Sequence, residues 1–146
     1  MDYSYYPTDY YRQNERLRKD IAGAINGEFS AIQCYERIAS LSPSKKAREQ
    51  ILEIRKDEIR HYQQFTQIYT NLFGSQPIVK AVEECPSTFS KGLEFGFNDE
   101  QETVDKYLEI SSYAQDPGVR EAFRRAAADE QNHAVWFLYF MTKGQS

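Results

Sequence analysis

The chain has 146 residues and a net charge of −4, and its length indicates one domain with a sizeable core. Its content of 40% apolar and 27% charged residues is typical of a globular protein and excludes a disordered one. The acidic balance argues against a nucleic-acid-binding protein, because such proteins need a basic surface. No apolar run is long enough to span a membrane.

The first residues predict an arm rather than a helix. Five tyrosines lie between Met1 and Tyr11, without helical spacing. The segment has neither the basic start nor the apolar middle of a signal peptide. We therefore expect a tyrosine-rich N-terminal arm at residues 1–12 and a bundle domain at residues 13–142.

Apolar periodicity predicts the first two helices. Apolar residues recur at intervals of three and four over residues 13–41, which indicates one buried helix face. The Ser-Pro-Ser sequence at 42–44 ends this helix, and Ser42 or Ser44 is the expected N-cap of the next. The second helix is predicted over residues 43–73, with Gly74 at its C-terminal cap. Its apolar stripe is interrupted at two positions, which hold Glu58 and His61.

The second half of the chain begins with a long connection. Residues 74–91 contain two prolines and no sustained periodicity. At about 3.3 Å per extended residue, this segment is long enough to cross the roughly 42 Å length of a bundle helix. Helices three and four are predicted over residues 91–115 and 117–142, with Pro117 in the first turn of the fourth. Glu130 and His133 interrupt the fourth stripe as Glu58 and His61 interrupt the second.

An internal repeat relates the two halves. They align without a gap at a shift of 72 residues. Each half is thus predicted to be one helical hairpin, and two hairpins joined by a long crossover predict an all-α four-helix bundle with one non-hairpin connection. The polar residues that the shift superimposes are Glu28 and Glu100, Tyr35 and Tyr107, Asp57 and Asp129, Glu58 and Glu130, and His61 and His133.

The polar residues on the predicted core faces indicate a metal centre. Residues three apart on a helix share a face, so each Glu-x-x-His pair presents a carboxylate and an imidazole to one point. Buried carboxylates without compensating cations are severely unstable, whereas two divalent ions neutralise four carboxylates. Mixed oxygen and nitrogen ligands suit iron or manganese, and zinc can substitute for them. The candidate ligands are Glu28, Glu58, His61, Glu100, Glu130 and His133.

Two aspartates are candidates for supporting contacts. Asp57 and Asp129 each precede a Glu-x-x-His glutamate, which turns them about 100° from the core face, towards a neighbouring helix. A carboxylate there can accept a hydrogen bond from the ring nitrogen of a histidine that does not bind metal. We predict that Asp57 serves His133 and that Asp129 serves His61; the alternative is that both are surface charges.

Tyr35 and Tyr107 lie two helical turns after Glu28 and Glu100 and on the same faces. Three interpretations stay open for them. They bond a ligand carboxylate, they lie on an electron path, or they only fill the core.

The six candidate ligands resemble the ligand set of the ferritin-like di-iron carboxylate proteins. The gap-free halves and the tyrosines after Glu28 and Glu100 are most similar to the rubrerythrin branch. This resemblance implies that Glu58 and Glu130 bridge two metal ions. It also implies four terminal ligands, Glu28, His61, Glu100 and His133.

The sequence departs from that family at two points. Rubrerythrins commonly carry an additional carboxylate one turn after the third-helix glutamate, where this chain has Thr103. The four-cysteine rubredoxin motif is absent, so we expect a separate protein as electron donor. The two cysteines, Cys34 and Cys85, form neither a CxxC motif nor a disulfide framework. We expect Cys34 to be a small core residue and Cys85 a loop residue, unpaired and without a chemical role, in the reducing cytoplasm.

The leading hypothesis is a non-haem di-iron oxidoreductase or ferroxidase that reacts with O2 or H2O2. Its expected cofactor is a pair of iron ions, with manganese as an alternative and zinc as a substitute. Three other functions remain open, namely iron sequestration, a structural or coat protein with a retired site, and a manganese catalase-like activity. We expect a homodimer, without a nucleic-acid or membrane partner.

Overall fold

The computed structural model describes the backbone of residues 5–144 and the side chains of residues 9–144. Over this range the chain is all-α, with no strand between residues 5 and 144. Its helices are α1 (Tyr5–Leu41), α2 (Lys45–Phe73), α3 (Phe89–Tyr113) and α4 (Pro117–Thr142). Short turns join α1 to α2 and α3 to α4, and residues 74–88 form the crossover between the two hairpins. The predicted four-helix bundle is confirmed.

Capping residues fix the helix ends. The Ser44 side chain accepts a hydrogen bond from the Ala47 N–H, so α2 begins at Lys45, two residues later than predicted. Gly74 ends α2 in the left-handed conformation, with φ of 72°. Thr88 caps α3 in the same way as Ser44 caps α2, and α3 therefore begins before residue 91. Asp116 caps α4, and Pro117 occupies its first turn as predicted.

The tyrosine-rich segment differs from the prediction. Residues 1–4 lie outside the described part of the chain, but α1 already begins at Tyr5 and continues without interruption to Leu41. The predicted non-helical arm over residues 5–12 is therefore wrong. Tyr10 and Tyr11 are 69% and 66% exposed, so these two side chains contribute nothing to a buried face that periodicity could detect. Extending an existing helix requires no new nucleus, which explains how it forms without that face.

Two apolar clusters fill the bundle, one towards each end. The first is centred on Phe65, which stacks on Phe123 with ring centroids 4.2 Å apart. The second contains Phe137, and α3 approaches this ring so closely that a Cβ on Gly96 would lie 2.6 Å from it. Glycine at residue 96 therefore lets α3 and α4 pack tightly. Between the two clusters lies a layer of buried polar side chains.

The crossover corrects the prediction for the cysteines. Cys34 on α1 and Cys85 on the crossover form a disulfide with Cα atoms 5.3 Å apart, although 51 residues separate them in sequence. The expectation of unpaired cysteines is therefore wrong. The inference of a reducing cytoplasm rested on unpaired cysteines and loses that support.

Within residues 5–144, no helix is long and apolar enough to cross a bilayer.

Candidate metal centre

Six carboxylate and imidazole side chains meet in the polar layer between the two apolar clusters. Each of the four helices contributes at least one of them, because the interruptions in the four apolar stripes fall at the same height of the bundle. None of the six is more than 4% exposed. The structure thus brings together every candidate ligand that the sequence predicts, namely Glu28 from α1, Glu58 and His61 from α2, Glu100 from α3, and Glu130 and His133 from α4.

The six side chains form two overlapping groups. In each group, one donor atom per residue lies within 4.8 Å of all the others. Glu58 and Glu130 belong to both groups, whereas the other four residues each belong to one. His61 Nδ1 lies 3.0 Å from Glu130 Oε1, and His133 Nδ1 lies 3.2 Å from Glu58 Oε1. Two adjacent sites that share two carboxylates are the geometry expected of a dinuclear centre.

The donor atoms themselves show that this cluster fits metal ions. Among the described residues, each of the six contributes one buried oxygen or nitrogen that has no hydrogen-bond partner. A buried polar atom without a partner costs about 1–3 kcal/mol, so six in one place need a common explanation. Two divalent cations would supply ligand bonds to all six atoms and balance the four carboxylates. The atoms are Glu28 Oε2, Glu58 Oε1, His61 Nδ1, Glu100 Oε2, Glu130 Oε1 and His133 Nδ1.

Both predicted aspartate–histidine contacts are present. His61 Nε2 lies 2.9 Å from Asp129 Oδ2, and His133 Nε2 lies 2.7 Å from Asp57 Oδ2. An ionised carboxylate only accepts, so each Nε2–H donates and Nδ1 is the ring nitrogen that faces the cluster. These contacts thereby orient both imidazoles for metal binding. Each aspartate also pairs with an arginine on its own helix, Asp57 with Arg60 and Asp129 with Arg125.

We expect Asp129→Asn to weaken metal binding by about 10–100-fold, the usual effect of losing such a contact. An amide can donate to Nε2 and so favours the tautomer with a proton on Nδ1, the wrong atom for a ligand. Titration of the metal-free protein with Co²⁺ measures the affinity. Asp105→Asn on the exposed surface of α3 is the matched control and should bind normally. Equal affinity of Asp129→Asn and the unchanged chain would contradict this role.

The tyrosines bond the carboxylates of the opposite hairpin. The Tyr35 hydroxyl on α1 donates to Glu100 Oε1 at 2.8 Å, and the Tyr107 hydroxyl on α3 donates to Glu28 Oε1. Of the three interpretations, the structure shows contact with a carboxylate. Each bond engages one carboxylate oxygen, Oε1, and leaves the other, Oε2, without a hydrogen-bond partner. The tyrosines therefore fix the rotation of Glu28 and Glu100.

The carboxylates have strongly shifted pKa values. Burial, followed by the charge of Glu58, raises the pKa of Glu28 well above its ordinary value and also raises the pKa of Glu100. Burial and the charge of Glu100 raise the pKa of Glu130 in the same direction. Burial would also raise the pKa of Glu58, but the neighbouring His133 and His61 lower it below the ordinary value.

The imidazoles shift in the opposite direction from ordinary buried histidines. Burial lowers the pKa of His61, but the carboxylates of Glu28 and Glu58 outweigh it and raise this pKa to about 11. Burial and the carboxylates of Glu100 and Glu58 have the same opposed effects on His133, whose pKa also rises to about 11. Without metal, the cluster therefore reduces its excess negative charge by holding protons. Metal binding must displace these protons.

A cavity beside the centre was not predicted. It has a volume of about 310 Å³ and lies between α1 and α3, where Tyr107, Thr103 and Gly27 contribute to its wall. The Thr103 hydroxyl donates to the backbone oxygen of Asp99, one turn back on its own helix. Thr103 thus places no carboxylate beside the cluster. The sequence signal for this cavity is a pair of glycines one helical turn apart, Gly23 and Gly27. Both line the cavity, and neither fills it with a side chain.

Comparisons with known proteins match the second half of the chain to a family and the whole chain to a relative. A family model described as Rubrerythrin matches residues 91–146, the part that contributes Glu100, Glu130 and His133. The chain is 50% identical to the "Uncharacterized protein YhjR" of Bacillus subtilis over 142 residues, which cover 97% of this chain and 98% of that protein.

Solved structures match the fold. A hypothetical protein from Pyrococcus furiosus superimposes with a TM-score of 0.77 at 16% identity, covering 86% of this chain and 88% of that one. A conserved hypothetical protein from Mycobacterium tuberculosis gives a TM-score of 0.76 at 14% identity, covering 88% of this chain and 93% of its own. At these identities the likeness shows the helical-bundle fold alone.

Proposed function

Because this chain belongs to the rubrerythrin family, we propose that it is a non-haem di-iron oxidoreductase or ferroxidase that reacts with O2 or H2O2. One observation carries the proposal. Six buried ligand atoms without hydrogen-bond partners face one another in two groups that share Glu58 and Glu130. A structural protein with a retired site would have no reason to keep four carboxylates in its core.

The ligand roles follow from the grouping. Glu58 and Glu130 would bridge the two ions, with His61 and Glu28 completing one site and His133 and Glu100 the other. When bound, a pair of iron ions supplies one electron each to the oxidant. Carboxylates suit both oxidation states of iron and can change between bridging and terminal binding.

The surrounding residues hold these ligands in place. Tyr35 and Tyr107 each hold one oxygen of a terminal carboxylate by a hydrogen bond, while the second oxygen has no hydrogen-bond partner. Asp57 and Asp129 hold the imidazoles by Nε2. Both aspartates are partly exposed, with side chains 31% and 19% accessible, so each links a buried histidine proton to the solvent.

Several finer statements remain proposals. We propose iron as the native metal, although the same donors also suit manganese, and zinc can occupy them. Both cysteines of these 146 residues are paired in a disulfide and so are not free to ligate iron, and we propose a separate protein as electron donor. The homodimer stays a prediction.

Anaerobic titration with Fe²⁺ tests the proposal. We expect saturation at two ions per chain, followed by oxidation on adding O2 or H2O2 that is at least about tenfold faster than for Fe²⁺ in the same buffer. Elemental analysis of protein purified without added metal identifies the native ion.

Other outcomes distinguish the alternatives. Iron uptake far above two ions per chain, together with cage formation, would indicate sequestration instead. Purification with manganese and dismutation of H2O2 would indicate a catalase-like activity. A melting temperature that no metal changes would indicate a structural protein.

A further inference from the structure

The crossover contains a strap, residues 80–85, that follows one side of α1. The Lys80 N–H donates to Asn26 Oδ1 and the Val82 N–H donates to Ser30 Oγ, each at 2.9 Å. Three residues further along, Cys85 is bonded to Cys34. Asn26, Ser30 and Cys34 are successive positions four apart on α1, so the strap is anchored along a single row of that helix.

The strap also reaches α3 and so spans the seam between the two helices. Val82 and Glu83 line the same cavity as Asp99 and Thr103 of α3. The anchors on α1 lie on both sides of Glu28 in sequence, and Asp99 directly precedes Glu100. The strap therefore crosses the seam at the height of the metal centre.

The cavity beside the strap reaches the support of a candidate ligand. Tyr107 lines its wall, and the hydroxyl of Tyr107 donates to Glu28. On the α1 side of the wall, Gly23 and Gly27 have no side chain, and no atom beyond their own stretch of helix lies within 4 Å of where a Cβ would stand. Moving the strap away would lengthen this cavity along the seam, towards Glu28 and Glu100.

We infer that the seam between α1 and α3 is the route by which metal ions enter the centre, and that the Cys34–Cys85 disulfide is a site of thiol–disulfide exchange that keeps the strap closed over it. A dithiol is the reductant class that fits. Its first thiolate attacks Cys85 Sγ, the half-buried sulfur, and breaks the S–S bond, since Cys34 is only 2% exposed. The second thiol then attacks the dithiol's own first sulfur and displaces the Cys85 thiolate, so the dithiol becomes a disulfide and both cysteines become thiols. This inference rests on the proposed metal centre.

The loss of this bond removes the strap's covalent anchor. The two backbone hydrogen bonds to Asn26 and Ser30 and a side-chain hydrogen bond between Glu83 and Asp99 remain, so the reduced strap is held by non-covalent contacts alone. Segments held in this way open locally far more often than the helices beneath them.

The test compares three metal-free forms of the full chain. They are the oxidised protein, the protein reduced with a dithiol and desalted anaerobically, and Cys85→Ser. Stopped-flow absorbance follows Co²⁺ uptake, and hydrogen exchange follows the amides of Lys80 and Val82. We expect about tenfold faster uptake in the reduced and Cys85→Ser forms, which is about 1.4 kcal/mol less for opening. We also expect both amides to lose protection and every form to bind two ions.

Two controls sharpen the result. Dithiol treatment of Cys85→Ser should change neither rate nor protection, because no disulfide remains. Ser30→Ala in the oxidised chain removes the hydrogen bond to the Val82 amide, which should then exchange faster. Because the disulfide still holds the strap, the rate of Co²⁺ uptake should rise less than it does after reduction. Full uptake at equal rates in all forms, or unchanged amide protection after reduction, would overturn the entry route and its disulfide control. Either result would leave the proposed metal centre intact. No uptake in any form contradicts the metal centre and the entry route together, and hydrogen exchange still shows whether the disulfide holds the strap.

Discussion

The double variant Glu58→Ala/Glu130→Ala is expected to lose both metal ions. Each glutamate belongs to both four-residue groups, so each proposed site loses two of its four ligands at once. A ligand present at 100 times its Kd stabilises the folded state by about 2.7 kcal/mol per site. For two sites, this predicts a metal-induced rise in melting temperature of roughly 10–20 °C in the unchanged chain and none in the variant.

Calorimetry with and without Co²⁺ measures this difference. Glu53→Ala/Glu121→Ala is the matched control, because it removes one exposed glutamate from each of the same two helices and should keep the full metal effect. Glu58→Gln/Glu130→Gln preserves side-chain volume and serves if the alanine variant folds poorly. A double alanine variant that still binds two ions would disprove the assignment of the centre.

The ligand set could be predicted because it appears as a defect in a regular pattern. Helical periodicity assigns each residue to a face, and a core face with Glu58 and His61 in place of apolar residues is a strong anomaly. The contacts of Asp57 and Asp129 with the histidines were also predictable from helical periodicity. A turn of about 100° from a known face leaves few neighbours within reach in a four-helix bundle.

The strap could not be predicted because its segment has no period. Nothing in residues 74–88 fixes which part of α1 they follow, so the approach of Cys85 to Cys34 was invisible. The roles of Tyr35 and Tyr107 remained open for a related reason. Periodicity placed them on the core face, but the choice between a carboxylate and an apolar neighbour depends on the register between the two hairpins.

The last expected result concerns pH. The metal-free protein should lose stability as the pH rises from 6.5 towards 11. Burial and neighbouring charge raise the folded-state pKa of Glu28, Glu100 and Glu130, and His61 and His133 rise to about 11. In the unfolded chain these glutamates release their protons near pH 4.5, and the histidines near pH 6.5.

The direction of this pH effect follows from the number of protons that the folded and unfolded states hold. Above pH 6.5 the folded state holds protons that the unfolded state has released, so stability falls with rising pH. Each extra proton held contributes about 1.4 kcal/mol per pH unit until the folded pKa is passed. Glu58 has a lowered pKa and acts in the opposite direction, but only below its unfolded value of about 4.5, outside this window.

Stabilisation by metal should change with pH in the opposite direction, because the ions bind the ligand atoms in their deprotonated form. We therefore expect the stabilisation by Co²⁺ to increase from pH 6.5 to pH 9, with release of protons detectable in weakly buffered solution. Melting curves at both pH values, with and without Co²⁺, make the comparison. Glu58→Ala/Glu130→Ala is the control. It removes Glu130, a carboxylate that holds a proton, and Glu58, whose charge raises the pKa of both histidines. The stability of this metal-free variant should therefore depend less on pH. A metal-free melting temperature that stays constant or rises over this range would contradict the proton-holding cluster.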